Sequence, residues 1–169
     1  LGNYYIKEIK ESEGYLLDNT SYPVEFKSET DTHKDLKVVR HVTETVKQQA
    51  FEILKVSTDG TNAEIDKVKG AEFTVKLNSD INKNGWDKAK TYSTLITDEK
   101  GFARSAELPY GTYLVKETKT PKDLYKTADF EVKITEDSRT PQTWRTLNDA
   151  AFKAYIRFIK KDKESGETV

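Results

Sequence analysis

Two stretches of this chain recur at nearly the same offset. Gly2-Asn3-Tyr4-Tyr5-Ile6-Lys7-Glu8 reads like Gly111-Thr112-Tyr113-Leu114-Val115-Lys116-Glu117, 109 residues later, and Phe51-Glu52-Ile53-Leu54-Lys55 reads like Ile156-Arg157-Phe158-Ile159-Lys160, 105 residues later. A period of a little over 100 residues is the length of one small domain, so the chain is expected to be a slice through an array of like modules. The register places the cuts off centre. Residues 1–46 read as the C-terminal part of one module, 47–150 as a complete module, and 151–169 as the first strand of a third. The lack of an initiator Met fits the same expectation of a processed or excised piece.

Within the period, the apolar pattern is that of strands. Phe51, Ile53 and Lys55 alternate with Glu52 and Leu54, Phe73, Val75 and Leu77 with Thr74 and Lys76, and Phe130, Val132 and Ile134 with Glu131 and Lys133. Turn clusters separate these runs at Asp59-Gly60, Asn84-Gly85, Asp98-Glu99-Lys100-Gly101 and Pro109-Tyr110-Gly111. Many short strands rich in Thr and Tyr predict an all-β chain of Ig-like β-sandwiches, with a helical turn only around Gly85 to Ala89.

Composition sharpens this. Hydrophobic residues are 35% of the 169, against about half in ordinary domains. Cores are then expected to be thin, or something other than apolar burial must help hold them. With no Cys, that help is not a disulfide, and thiolate catalysis, zinc fingers and iron–sulfur sites are excluded together. A net charge of −1 from 28 basic and 29 acidic residues argues against a nucleic-acid or membrane-surface partner. No apolar run approaches a membrane span, and no signal peptide is present.

The informative residues are charged ones in line with the core. Alternation puts Glu117 on the face of Tyr113 and Val115, Lys55 behind Phe51 and Ile53, and Asp149 behind Leu147. Any one of these taken singly reads as a rim residue with its head in water. A Lys on the first strand, a Glu on a central one and an Asp on the last are harder to dismiss jointly, because in a sandwich whose first and last strands are neighbours the three could meet.

At this point the chain resembles the Cna B-type, or SpaA-like prealbumin-fold, repeats of Gram-positive surface adhesins and pilins, over essentially its whole length. The resemblance rests on the first strand ending in Lys55, on Gly70-Ala71-Glu72-Phe73, on Thr97-Asp98 with Gly101, and on Leu108 through Gly111 and Tyr113 to Glu117. Glu13-Gly14-Tyr15 carries the following segment in the first fragment. What the resemblance implies is an autocatalytic intramolecular isopeptide bond, formed once and without a cofactor. Lys55 would be the nucleophile and Glu117 the proton shuttle. Asp149 would be the acceptor, favoured over the alternative Asn148 because alternation from Leu147 turns Asn148 outward. The chemistry is coherent, since burial disfavours the charged form of an amine and of a carboxyl alike and folding holds the reactants in contact.

In the flanking modules the resemblance assigns Glu8 as the shuttle acid of the first and Lys160 as the nucleophile of the third. Eleven residues before Lys55 stands Glu44, where the family would carry Asn or Asp. The resemblance further implies a structural stalk of a cell-wall-anchored, extracellular surface protein, its partners being neighbouring modules of the same chain. The alternative is an adhesion module holding a host extracellular-matrix protein or glycan. A conventional enzyme is disfavoured, there being no phosphate loop, metal cluster or Ser-His-Asp arrangement.

Weaker motifs read as structural. Asp80 through Gly85 matches half a calcium loop, but Thr91 stands where a bidentate carboxylate is needed, so a polar turn is expected and no metal. Leu108-Pro109-Tyr110-Gly111-Thr112 fits a turn, Asn19-Thr20-Ser21 is a chance glycosylation sequon, and Trp86 and Trp144 are expected to pack locally. His33 and His41 have no ligand spacing.

Overall fold

The computed structural model describes residues 2–26, 39, 41–58, 64–122 and 124–150, with positions 58, 64–67 and 145–150 as backbone alone. Lys160 and the rest of 151–169 lie outside the described residues, as does His33. In chain order the elements are β1 (Gly2–Lys7), β2 (Ser21–Phe26), β3 (Gln48–Thr58), β4 (Glu64–Lys67), β5 (Glu72–Leu77), α1 (Asn78–Asn84), β6 (Thr91–Ile96), β7 (Phe102–Arg104), β8 (Leu108–Pro109), β9 (Gly111–Lys119), β10 (Phe130–Ile134) and β11 (Ser138–Ala150). The class is all-β, as the alternation predicts.

Two sheets make the sandwich. One has the order β10-β9-β5-β6, antiparallel throughout. The other is built on β3, which pairs in parallel with β11 and antiparallel with β4, β7 and β8. The inward residues are those the alternation picks out: Phe51 and Ile53 from β3, Phe73 and Val75 from β5, Tyr113 and Val115 from β9, and Val132 and Ile134 from β10 are all buried in one cluster. Period-two strands facing each other across an aligned sandwich bury one side each, which is why so modest an apolar fraction still closes a core.

The expected turn at Gly85 to Ala89 forms, closed by the Ala89 N–H on the Gly85 carbonyl at 3.0 Å, but a helix precedes it over Asn78–Asn84 and ends at Gly85, whose φ of 78° and N–H bond to the Ile81 carbonyl close it. It buries none of its residues, so no apolar periodicity marks it. Asp80, read as part of a polar turn, is inside this helix and accepts from the Lys90 N–H at 2.6 Å and from Asn84. Those bonds, the backbone one first, hold its carboxyl below the usual range. Trp86 packs locally as expected, with Lys76 and Lys116 ammonium groups 4.9 and 4.6 Å from its ring.

The β1–β2 hairpin repeats the β9–β10 pair register for register. Gly2 faces Phe26, Tyr4 faces Val24 and Ile6 faces Tyr22; Gly111 faces Ile134, Tyr113 faces Val132 and Val115 faces Phe130. Both leading glycines have φ of 152°. The pairs differ in cover: Tyr4 and Ile6 are 52% and 56% exposed, whereas Tyr113 and Val115 are 1% and 0%. Behind the hairpin, Gly14 and Leu16 bond to Lys47 and Thr45 through backbone bonds of 2.8 Å. The Tyr110 hydroxyl donates to Glu13, and a Cβ on Gly14 would stand 2.6 Å from the Tyr110 ring.

Gly70 and Gly101 offer a matched test. Both have left-handed backbone, at φ 78° and 75°, but a Cβ on Gly101 would come 2.3 Å from the Lys55 carbonyl oxygen, while one on Gly70 meets nothing within 4 Å. Gly70→Ala should therefore cost only the left-handed term, roughly 1–2 kcal/mol. Gly101→Ala must in addition displace the turn before β7 from β3, and its thermal midpoint should fall further, by about 4–8 °C for each extra kcal/mol. Equal midpoints for the two variants in a thermal melt would contradict the packing argument.

Candidate functional site

Lys55 lies near the middle of β3 with 0% exposure, and Glu117 lies on β9 at 1%. They belong to opposite sheets. Their alternation partners are core residues, so both strands direct these side chains into the layer between the sheets. Lys55 Nζ stands 3.4 Å from Glu117 Oε2, and 5.5 Å from the centroid of Phe73, whose own register partner is Glu117. Taking an amine and a carboxylate out of water costs several kcal/mol per ion unless the pair is well satisfied. Here the satisfaction is lopsided. Glu117 Oε2 also accepts the Thr127 backbone N–H at 2.6 Å, whereas Oε1 is buried with no hydrogen-bond partner among the described residues.

Thr127 is the member of this site that sequence reasoning misses. It lies in the connection between β9 and β10, is 6% exposed, and its hydroxyl accepts a bond from Lys55 Nζ. A loop residue follows no strand period, and nothing in its neighbourhood of the sequence marks it as inward.

The resemblance motifs turn out to hold the backbone around Lys55. The Lys55 N–H donates to the Gly101 carbonyl at 2.8 Å and the Lys55 carbonyl accepts from Val68 at 3.2 Å. Asp98 Oδ1 accepts the N–H groups of Lys100 and Phe102 at 2.8 and 2.9 Å, folding the turn that brings Gly101 there. Thr97 exchanges backbone bonds with Gly70 and Ala71, and its hydroxyl accepts a further one from Ala71 at 3.0 Å. Buried Tyr113, two residues before Val115, donates its hydroxyl to the Pro109 carbonyl at 2.7 Å, fixing the turn that feeds β9. Burial first, then Tyr92, pushes its phenol well above the usual range.

The third expected participant is on β11. Because β3 and β11 run in parallel, first and last strands of the sandwich are neighbours, with Lys55 registered beside Thr146 and Ser57 beside Asp149. Ser57 is buried, two positions beyond Lys55 on the same face. Asn148 falls in the register shift between Thr146 and Asp149. The side chains of Asn148 and Asp149 lie outside the described residues.

In the first fragment, Glu8 is half-buried and accepts the Asp18 N–H at 2.6 Å. That is the same bond at the same ten-residue spacing as Thr127 to Glu117. Glu44 is exposed.

Comparison with known proteins agrees with this fold. The SpaA prealbumin-like fold domain family matches residues 49–153. The Bacillus anthracis TIE protein is similar in structure over 88% of this chain and 25% of its own, at 28% identity and a TM-score of 0.63. The shaft pilin SpaA from Lactobacillus rhamnosus GG is similar in fold over 73% of this chain and 57% of its own, at 20% identity and a TM-score of 0.52. The chain thus spans a quarter of the first and a little over half of the second. No curated protein matches it. Among the described residues, no helix is long and apolar enough to cross a membrane. With a family match over most of its length and the sandwich to go with it, the chain belongs to the SpaA prealbumin-like fold domain family.

Proposed function

We propose that this chain is a structural stalk segment of a cell-wall-anchored surface adhesin or pilin-like protein of a Gram-positive bacterium. In this reading, residues 47–150 form one complete module, 1–46 close a preceding one and 151–169 open the next. The complete module staples itself with an isopeptide bond between Lys55 and Asp149. Family membership supports the extracellular, structural part of this reading. The observation that carries the staple is the fully buried Lys55 amine 3.4 Å from Glu117 Oε2, on a strand whose parallel neighbour is β11.

The chemistry runs once. A neutral Lys55 amine attacks the Asp149 carboxyl carbon, forming the C–N bond. Glu117 takes the proton that the nitrogen sheds and returns one to the departing oxygen, so that a C–O bond breaks and water leaves. Its Oε1, without a partner among the described residues, is the acid position that can hydrogen-bond the acyl oxygen as charge develops there. The low dielectric of the core strengthens that bond, and folding supplies the effective concentration. The product is a neutral amide in place of two ionisable groups, one of them the buried Lys55 amine.

An intact mass one water below the sequence mass is expected for the folded protein. Asp149→Ala and Glu117→Ala should both restore the full mass, while Asn148→Ala should leave the deficit in place; loss of ammonia instead of water would move the acceptor to Asn148. A full sequence mass for the unaltered protein rules the staple out.

The thermal consequence is separable. Closing a loop of nearly a hundred residues removes about 4–5 kcal/mol of chain entropy from the unfolded state, and each kcal/mol moves the midpoint of a domain this size by about 4–8 °C. Asp149→Ala should therefore melt roughly 15 °C or more below the unaltered protein. Coincident melting curves would show that no cross-link constrains the unfolded chain.

A further inference from the structure

Two hydrogen bonds at the site come from one loop residue, and they behave differently across the internal repeat. The bond from the Thr127 N–H to Glu117 Oε2 has its twin in the bond from the Asp18 N–H to Glu8 Oε2, both 2.6 Å and both spanning ten residues. The backbone clamp on the Glu is thus a property of the hairpin that both copies share. The side chain is not shared. Asp18 turns its carboxylate to the Tyr22 hydroxyl and the Thr20 N–H, while Thr127 turns its hydroxyl to Lys55 Nζ.

We infer that Thr127 is the positioning residue that aims the Lys55 amine, a role that rests on the cross-linking function proposed for Lys55 and Glu117. A neutral amine has two N–H groups and one lone pair around a tetrahedral nitrogen. The bonds to Glu117 Oε2 and Thr127 Oγ1 fix two of the directions around that nitrogen, where the bond to Glu117 would fix one. The hydroxyl matters also as an acceptor that does not become a base at neutral pH, so it orients the amine without competing with Glu117 for its proton. The backbone N–H of the same residue pins Oε2, the oxygen to which the amine also donates, while Oε1 has no partner among the described residues. One residue thereby sets the geometry of nucleophile and shuttle together.

The test separates hydroxyl from shape. The chain is made by cell-free synthesis, translation is stopped, and the fraction that has lost water is followed by intact mass at several pH values. Thr127→Val keeps the shape without the hydroxyl, and Thr127→Ser keeps the hydroxyl. The Val variant should form the bond roughly tenfold more slowly, and Thr127→Ser should stay near the original rate. A Val rate equal to the original overturns the inference while leaving the staple intact. Val and Ser variants slowed alike reduce Thr127 to a packing residue, which overturns it too. If the unaltered protein never loses water, the staple fails and this inference with it. Near-UV circular dichroism checks folding, and should the Val variant not fold, Thr127→Ala carries the same rate comparison.

Discussion

The contact on which this module depends is between one amine and one carboxyl group in the space between two sheets. Lys55 follows Phe51 and Ile53 on the inward face of β3, and Glu117 follows Tyr113 and Val115 on that of β9, all of them buried. Their presence there sets demands on everything nearby. The Lys55 backbone must be held at a fixed depth, and Gly101 with Val68 does that from two sides. Glu117 must not swing away, and the Thr127 N–H prevents it. Phe73 walls the amine off. A buried pair with one oxygen unsatisfied is poor design for stability alone. It suits the cross-linking role proposed for Lys55, in which the amine becomes part of a neutral amide.

The same pair also takes up core volume. The core is a single cluster of side chains from seven strands and the segment before β5, with Tyr113, Phe51 and Phe73 its largest members apart from Lys55. Lys55 and Glu117 are themselves among the largest fully buried side chains. Volume that another sandwich would fill with Leu or Ile is here filled by two residues that composition counts as charged.

Much of this was legible in the sequence, for a definite reason. Strand alternation is a local, two-residue rule, so it placed Lys55 with Phe51 and Ile53, and Glu117 with Tyr113 and Val115, without any knowledge of the partner sheet. The internal repeat anticipated that β1–β2 and β9–β10 share one register. Thr127 escaped because a connecting loop has no period, and because its counterpart is Asp18, whose side chain has different partners; the shared feature is a backbone N–H, which sequence comparison does not see. Helix α1 escaped on similar grounds. Asn, Ser and Asp favour caps and turns over helix interiors, and a helix that buries nothing leaves no apolar stripe to read.

The parallel pairing of β3 with β11 has a mechanical meaning. The chain enters β3 at Gln48, whose end of the sheet lies beside Ser138, and leaves β11 at Ala150, beside Thr58. Entry and exit are therefore at opposite ends of two adjacent strands. A pull along the strand axis drags β3 and β11 past each other and stretches the rungs of their ladder all at once. Were the pair antiparallel, with entry and exit at the same end, the same pull would peel them apart one rung at a time. The topology chosen by the first and last strands makes the module resist in shear.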